Sequence, residues 1–281
     1  MTLPDSLQGD VRSNVDDSRS HPVVHCEGEV CRTYEQELIE EEPLLIRVEG
    51  APYSVVMRTP GEEIFHAAGF CLSEGLVDGL EDFATIGCCD QDNTNVATVT
   101  LKPERRKKVS SLLKRRGFIS QTSCGICGKE VIEDLCQILS PITDETKIKM
   151  SQAVACVNEL PHHQRLHKRT RSAHAAMLFD SRLNVLEVAE DVGRHNALDK
   201  AIGKALMNRE LGSARLAVLS SRMSYEMVQK AARGRLPILV SVSRPTALAV
   251  ALGRSLNMTL ACMSRQNGLL VFCGKERLVE G

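Results

Sequence analysis

The chain has 281 residues, 43% hydrophobic and 25% charged, and its 35 Lys and Arg against 36 Asp and Glu leave a formal net charge of -1. That composition excludes a fibrous or disordered chain and supplies no global field for nucleic acid, so no nucleic-acid partner is expected and an anionic ligand needs a local basic patch. No run approaches the ~18 to 20 apolar residues of a membrane span, and the start, MTLPDSLQGDVRSNVDDSRS, lacks the basic and apolar segments of a secretion signal. A soluble, cytoplasmic protein with no membrane partner is expected.

Residues 1–21 are polar and unpatterned and read as a flexible tail, with order beginning near Pro22. Residues 22–147 then form a first, β-rich subdomain. Its strand signals are PVVHC, PLLIRVEG, APYSVVMRTP and NVATVTL, the middle two joined at Glu49-Gly50. A helix over GEEIFHAAGFCLSEG repeats apolar residues at helical spacing and stops at Gly75. PERRKKVSSLLKRRG predicts one further helix, with Val109, Leu112 and Leu113 inside and Arg105, Arg106, Lys107, Lys108, Lys114, Arg115 and Arg116 on a solvated face.

SCGICGK, residues 123–129, sets Cys124 and Cys127 three positions apart, just before the helical pattern KEVIEDLCQILS. A helix N-terminus and the nearby Lys129 both favour thiolate over thiol. A zinc knuckle would need a second C-x-x-C or a histidine pair at suitable spacing, and the other close cysteine pair is Cys88-Cys89. Zinc deaminases use P-C-x-x-C, whereas Ser123 stands before Cys124. The total of 11 cysteines is odd and scattered, without the framework of a secreted scaffold. Most, such as Cys71 and Cys262, read as small core residues.

Residues 148–281 alternate short apolar strands with amphipathic helices, which predicts a three-layer α/β sandwich with one antiparallel hairpin. Three strand-to-helix junctions, EDVGRHN, SSRMS and SRPT, each carry an arginine: Arg194 with His195 and Asn196, Arg222 with Ser220 and Ser221, Arg244 with Ser243 and Thr246. Serine, threonine and asparagine are ordinary helix caps, but an arginine at three successive junctions is not a capping feature. Ligands of α/β sheets lie at carboxyl ends of strands, where helix N-termini bind phosphate. An anionic, phosphorylated ligand is expected there.

Five segments together, EPLLIRVEGAPYSVVMRTPG, AAGFCLSEG, SCGICGK, EDVGRHNALDK and PTALAV, resemble the FdhD family of sulfur carrier proteins required for formate dehydrogenase activity, from about residue 40 to the C-terminus. The resemblance implies a sulfurtransferase, with a C-terminal half resembling cytidine deaminase in fold. It takes sulfur from a cysteine desulfurase as a persulfide and passes it to the Mo or W bis(molybdopterin guanine dinucleotide) cofactor, of which GDP is an analogue. Formate dehydrogenase receives the cofactor. The resemblance implies Cys124 as the persulfide position, assisted by Cys127, and Met263, Ser264, Arg265, Gln266, Asn267 and Gly268 as the cofactor-contacting loop. Arg194, His195, Asn196, Ser221, Arg222, Ser243 and Thr246 complete the expected cofactor site, with no metal ligands, and Glu190 and Asp191 either orient Arg194, meet the guanine edge or form a structural salt bridge. The sequence departs from the family where T-G-G becomes Thr170-Arg171-Ser172 and S-G-R becomes Ser220-Ser221-Arg222. The alternative reading is a non-catalytic cofactor chaperone with a redox or zinc-binding cysteine loop. Because a persulfide needs shelter, a homodimer is expected, with the basic helix over a neighbour's pocket.

Overall fold

The computed structural model describes residues 17–88, 95–114, 139–266 and 268–280. It opens with an antiparallel ribbon of β1 (Ser18–Glu27) and β2 (Val30–Ile39), which turns at Gly28 with φ 60°. Ser18 to His21, placed in the tail by the sequence reading, pair here with residues 36–39. The base is held by Ser18 Oγ donating to Glu37 at 2.7 Å and by an Arg19–Glu40 ion pair at 2.8 Å. Near the tip Cys26 and Cys31 form a disulfide, a pairing the sequence reading did not assign, while Cys71 and Cys262 are buried and free as expected.

The first subdomain is a four-stranded sheet in the order β4-β3-β6-β5, built from β3 (Glu42–Val48), β4 (Ala51–Arg58), β5 (Phe83–Cys88) and β6 (Val96–Leu101). Helix α1 (Glu63–Ser73) packs on it with Ala67, Ala68, Phe70, Cys71 and Leu72 buried. The expected single basic helix is two: α2 (Pro103–Lys108) and α3 (Ser110–Lys114), broken at Val109. Arg105 is buried, contrary to the solvated face assigned to it. Its guanidinium donates to Leu76 O at 2.8 Å and Gly75 O at 2.7 Å and pairs with Asp78 and Asp82.

Next come β7 (Ile148–Lys149), α4 (Met150–His163), α5 (Arg165–Thr170), β8 (His174–Phe179), β9 (Val185–Asp191), α6 (Arg194–Met207), β10 (Leu216–Leu219), α7 (Tyr225–Arg233), β11 (Ile238–Ser241), α8 (Ala247–Ser255), β12 (Thr259–Met263), β13 (Leu269–Cys273) and β14 (Leu278–Val279). Six of these strands make one sheet in the order β13-β12-β11-β10-β8-β9. β10, β11 and β12 are parallel, while β8 is antiparallel to both its neighbours and β13 to β12. Two hairpins, β8–β9 and β12–β13, thus replace the one expected.

Alternate residues of each strand enter different cores, which is why the runs read as continuously apolar. Ala175, Met177, Phe179, Leu216, Val218, Ile238 and Val240 face α4 through Ala153, Cys156, Val157 and Leu160. Ala176, Leu178, Ala217, Leu219, Leu239 and Leu260 join the helices α1, α6, α7 and α8 on the other side. That second core also contains Leu44, Ile46, Val99 and Leu101 of the first sheet. The boundary at residue 147 therefore divides the chain but not the hydrophobic core.

Candidate functional site

β9 is antiparallel to β8, and β8 to β10, so β9, β10, β11 and β12 all end at one edge of the sheet, where β8 begins. The three arginine-bearing junctions meet there, as does the β12–β13 hairpin. The strands are not all adjacent, because β8 lies between β9 and β10 and brings His174 to the middle of the edge. Arg222, Arg244, Arg265 and Gln266 are exposed, and Arg194 is half-buried with a buried Nε that has no partner among the described residues. Val242 and Leu248 add exposed apolar surface beside them.

The other expected contact residues sit at the same edge, several with their polar atoms already engaged. Thr246 Oγ1 caps α8, accepting from Ala249 N at 3.2 Å. Ser264 closes the hairpin, its N donating to Gly268 O at 2.8 Å and its Oγ accepting from Gly268 N at 3.1 Å. Ser221 is buried and donates to Arg222 O at 3.1 Å, while Ser243 is exposed and its carbonyl accepts from Ser241. Met263 is half-buried. Asn267, Cys124 and Cys127 lie outside the described residues. Arg171, where the resemblance led one to expect glycine, adopts φ 60°, a left-handed conformation that glycine takes without strain.

Beneath the edge, EDVGRHNALDK performs a structural task. Asp191 is fully buried and accepts from Lys200 Nζ at 2.7 Å, Thr59 N at 3.1 Å, Gly193 N at 2.8 Å and Asn196 Nδ2 at 2.9 Å. Lys200 also donates to Thr59 O at 2.8 Å, and Asn196 to Met57 O at 2.7 Å. The motif thereby clamps the RTPG segment after β4 onto the start of α6. Of the roles considered for Asp191, the buried salt bridge is the one observed. Glu190 points elsewhere, accepting from Leu166 N at 2.7 Å and His167 N at 2.9 Å at the start of α5; burial still raises its carboxyl above the ordinary range.

Three residues of this edge were not assigned to the site by sequence: His174, Ser224 and Glu226. Burial first, then the charges of Arg194 and His167, lowers the His174 pKa, favouring the neutral ring. His195 Nε2 lies 2.8 Å from Glu226 Oε2 and 3.3 Å from Ser224 Oγ. Both partners share one ring nitrogen, so this is not a Ser-His-Glu nucleophile relay, which needs one partner on each. Cys71, Cys156, Cys262 and Cys273 are poor nucleophiles: burial raises all four thiols, Cys156 up to about 11. Among the described residues no cluster of His, Cys, Asp and Glu could hold a metal, and no helix is long and apolar enough to cross a membrane.

Comparison with known proteins decides the lineage. The FdhD/NarQ family matches residues 39–279. The chain belongs to the FdhD/NarQ family. A protein of Streptomyces coelicolor named sulfur carrier protein FdhD is 37% identical over 251 residues, covering 86% of this chain and 88% of its own. One of the same name from Xanthomonas euvesicatoria pv. vesicatoria is 35% identical, covering 88% and 87%. The fold is also similar to the crystal structure of a protein from Desulfotalea psychrophila described as a formate dehydrogenase accessory protein. That likeness has a TM-score of 0.74 at 23% identity, over 93% of this chain and 99% of that one. The FdhD/NarQ match begins at Ile39, so nearly all of the β1–β2 ribbon lies outside it.

Proposed function

We propose that this FdhD/NarQ protein is a cytoplasmic sulfur carrier for formate dehydrogenase maturation. Cys124 thiolate attacks the outer sulfur of a cysteine desulfurase persulfide; a new S–S bond forms at Cys124, the donor's S–S bond breaks, and the donor leaves as a thiolate. Cys127 assists, and the sulfur then passes to the Mo or W bis(molybdopterin guanine dinucleotide) cofactor, which is substrate here and not a resident group. The names of the relatives support the carrier role. The observation that most supports the cofactor's place is the convergence of Arg194, Arg222, Arg244 and Arg265 on one sheet edge. Such an edge suits the pyrophosphates of a guanine dinucleotide, since guanidinium groups bind phosphate bidentately.

The reading is tested by incubating the protein with a desulfurase and cysteine, which should add ~32 Da to the Cys124 peptide as one sulfur atom. An adduct retained after Cys124→Ala moves the role to another residue. GDP, the analogue of the cofactor's nucleotide ends, should bind the wild type and bind more weakly after Arg222→Ala. Unchanged GDP affinity in that variant would take Arg222 out of the site.

A further inference from the structure

Glu226 stands in the first turn of α7, and its carboxylate meets His195 Nε2 at 2.8 Å. A carboxylate only accepts hydrogen bonds, so Nε2 carries a proton whenever this contact is made. The hydrogen bond from His195, with the charges of Lys230 and Arg194 behind it, holds Glu226 below the usual carboxylate range. The acceptor is thus ionised at neutral pH. Ser224 Oγ, at 3.3 Å, braces the same nitrogen. Nδ1 makes no hydrogen bond to the described residues and is not a buried orphan. It is therefore the ring nitrogen left open to a ligand.

In a neutral ring whose proton sits on Nε2, Nδ1 is an acceptor and offers nothing to a phosphate oxygen. Its complement is a hydrogen-bond donor, which in a nucleotide means a sugar hydroxyl or a base N–H. We propose that Glu226 is a positioning residue that locks His195 in the Nε2–H tautomer, so that Nδ1 accepts a hydrogen bond from the nucleoside part of the ligand. This rests on the reading of the edge as a guanine-nucleotide site. It divides the labour within it, with arginines for the phosphates and His195 for the nucleoside.

The opposite expectation is also physical, since a carboxylate beside an anion site repels the ligand. Glu226→Gln and Glu226→Ala separate the two, because glutamine keeps an accepting oxygen and loses the charge. GDP and inorganic pyrophosphate are titrated into wild type and both variants at pH 8, and the His195 tautomer is read from long-range 1H–15N spectra. The expected result is the Nε2–H tautomer in wild type and the Gln variant, and a mixture in the Ala variant. GDP affinity in the Ala variant should fall by the reciprocal of the Nε2–H fraction read from the spectra, about twofold for an equal mixture, and stay near wild type in the Gln variant. Pyrophosphate should bind all three alike.

An Nδ1–H ring in wild type, an unchanged tautomer in the Ala variant, or tighter GDP binding by both variants overturns the proposal. A parallel loss of GDP and pyrophosphate would return His195 to the phosphates. If wild type binds neither ligand, the nucleotide reading of the edge fails first and the nucleoside role falls with it. Binding of both by wild type with no effect of either variant sinks the role of Glu226 alone.

Discussion

Gly69 of α1 and Gly203 of α6 lie against one another where the two helices cross. A Cβ on Gly69 would stand 1.9 Å from Asp199 O, and one on Gly203 would stand 1.8 Å from Phe65 O. Only glycine lets the backbones approach this closely, and the crossing joins the two sheets into one core. Gly203→Ala is expected to lower stability by about 3 kcal/mol, the upper range for overpacking where backbone must move. Gly212→Ala is the control, because nothing lies within 4 Å of its added carbon. Its effect should stay within about 0.5 kcal/mol. Equal urea midpoints for the two variants would mean that the helices can separate without cost.

The Asp191–Lys200 pair predicts a different signature. Both side chains are almost wholly buried, and the lysine also holds the RTPG backbone through Thr59 O. Lys200→Met leaves a carboxylate buried without its cation and should cost about 3 to 5 kcal/mol. The double variant with Asp191→Asn should lose clearly less than the sum of the singles, since the stranded charge is gone. Additive losses in urea melts would show that the two groups act independently.

How much of this was legible in the sequence follows from which contacts are local. The second half could be read because strands covered on both faces give uninterrupted apolar runs, as in AAMLF and LAVL, punctuated by caps and glycines. The shared strand-end edge followed from that order, although the antiparallel insertion of β8 did not, because direction is set by pairing partners. The second strand of the ribbon escaped notice, although PVVHC of β1 was read, because VCRTYEQELI alternates without a buried face and its register comes from pairing with β1. Arg105 read as one more surface base, since its partners at Gly75, Leu76, Asp78 and Asp82 are some 30 residues or fewer away in sequence but meet it only after folding. Glu226 carried no motif at all. Its relation to His195 exists only once α6 and α7 stand side by side.

His66 predicts an acid-side loss of stability. The ring is fully buried in α1, and among the described residues neither nitrogen has a partner at hydrogen-bond geometry. Burial first, then the charges of Lys200, Lys230 and Arg58, holds its pKa well below the ordinary 6.5. The unfolded chain takes up this proton near pH 6.5, and the folded chain does so only at much lower pH. Between those values the unfolded state binds more protons, so stability falls as pH drops below about 6.5, at up to about 1.4 kcal/mol per pH unit for one group. His174, also lowered, adds to the same window. His66→Leu should remove one proton's share of the slope between pH 7 and 5.5 while His174 keeps its own. An identical slope in the variant would show that His66 titrates normally in the folded protein.

Arg105 and Arg106 are neighbours in sequence with opposite tasks. Arg105 ties α2 to the segment after α1 through two backbone carbonyls and two carboxylates, whereas Arg106 makes a surface pair with Glu49 at 3.0 Å. Arg105→Glu would bury a carboxylate beside Asp78 and Asp82 and should cost about 3 to 5 kcal/mol, as for a broken buried pair. Arg106→Glu should cost clearly less, about 1 kcal/mol, because the Arg106 side chain is 62% exposed and water screens its pair with the mostly covered Glu49. The contrast sets the terms for any test of the expected homodimer, in which this basic segment covers a neighbour. Arg106, Lys107 and Lys108 are exposed and can be reversed without unfolding α2, so light scattering on that triple variant reads association alone. A wild-type dimer that becomes monomeric on this change, with an unaltered urea midpoint, would assign the segment to the interface. An unchanged mass would clear it of that role, and loss of assembly seen only with Arg105→Glu would report unfolding instead.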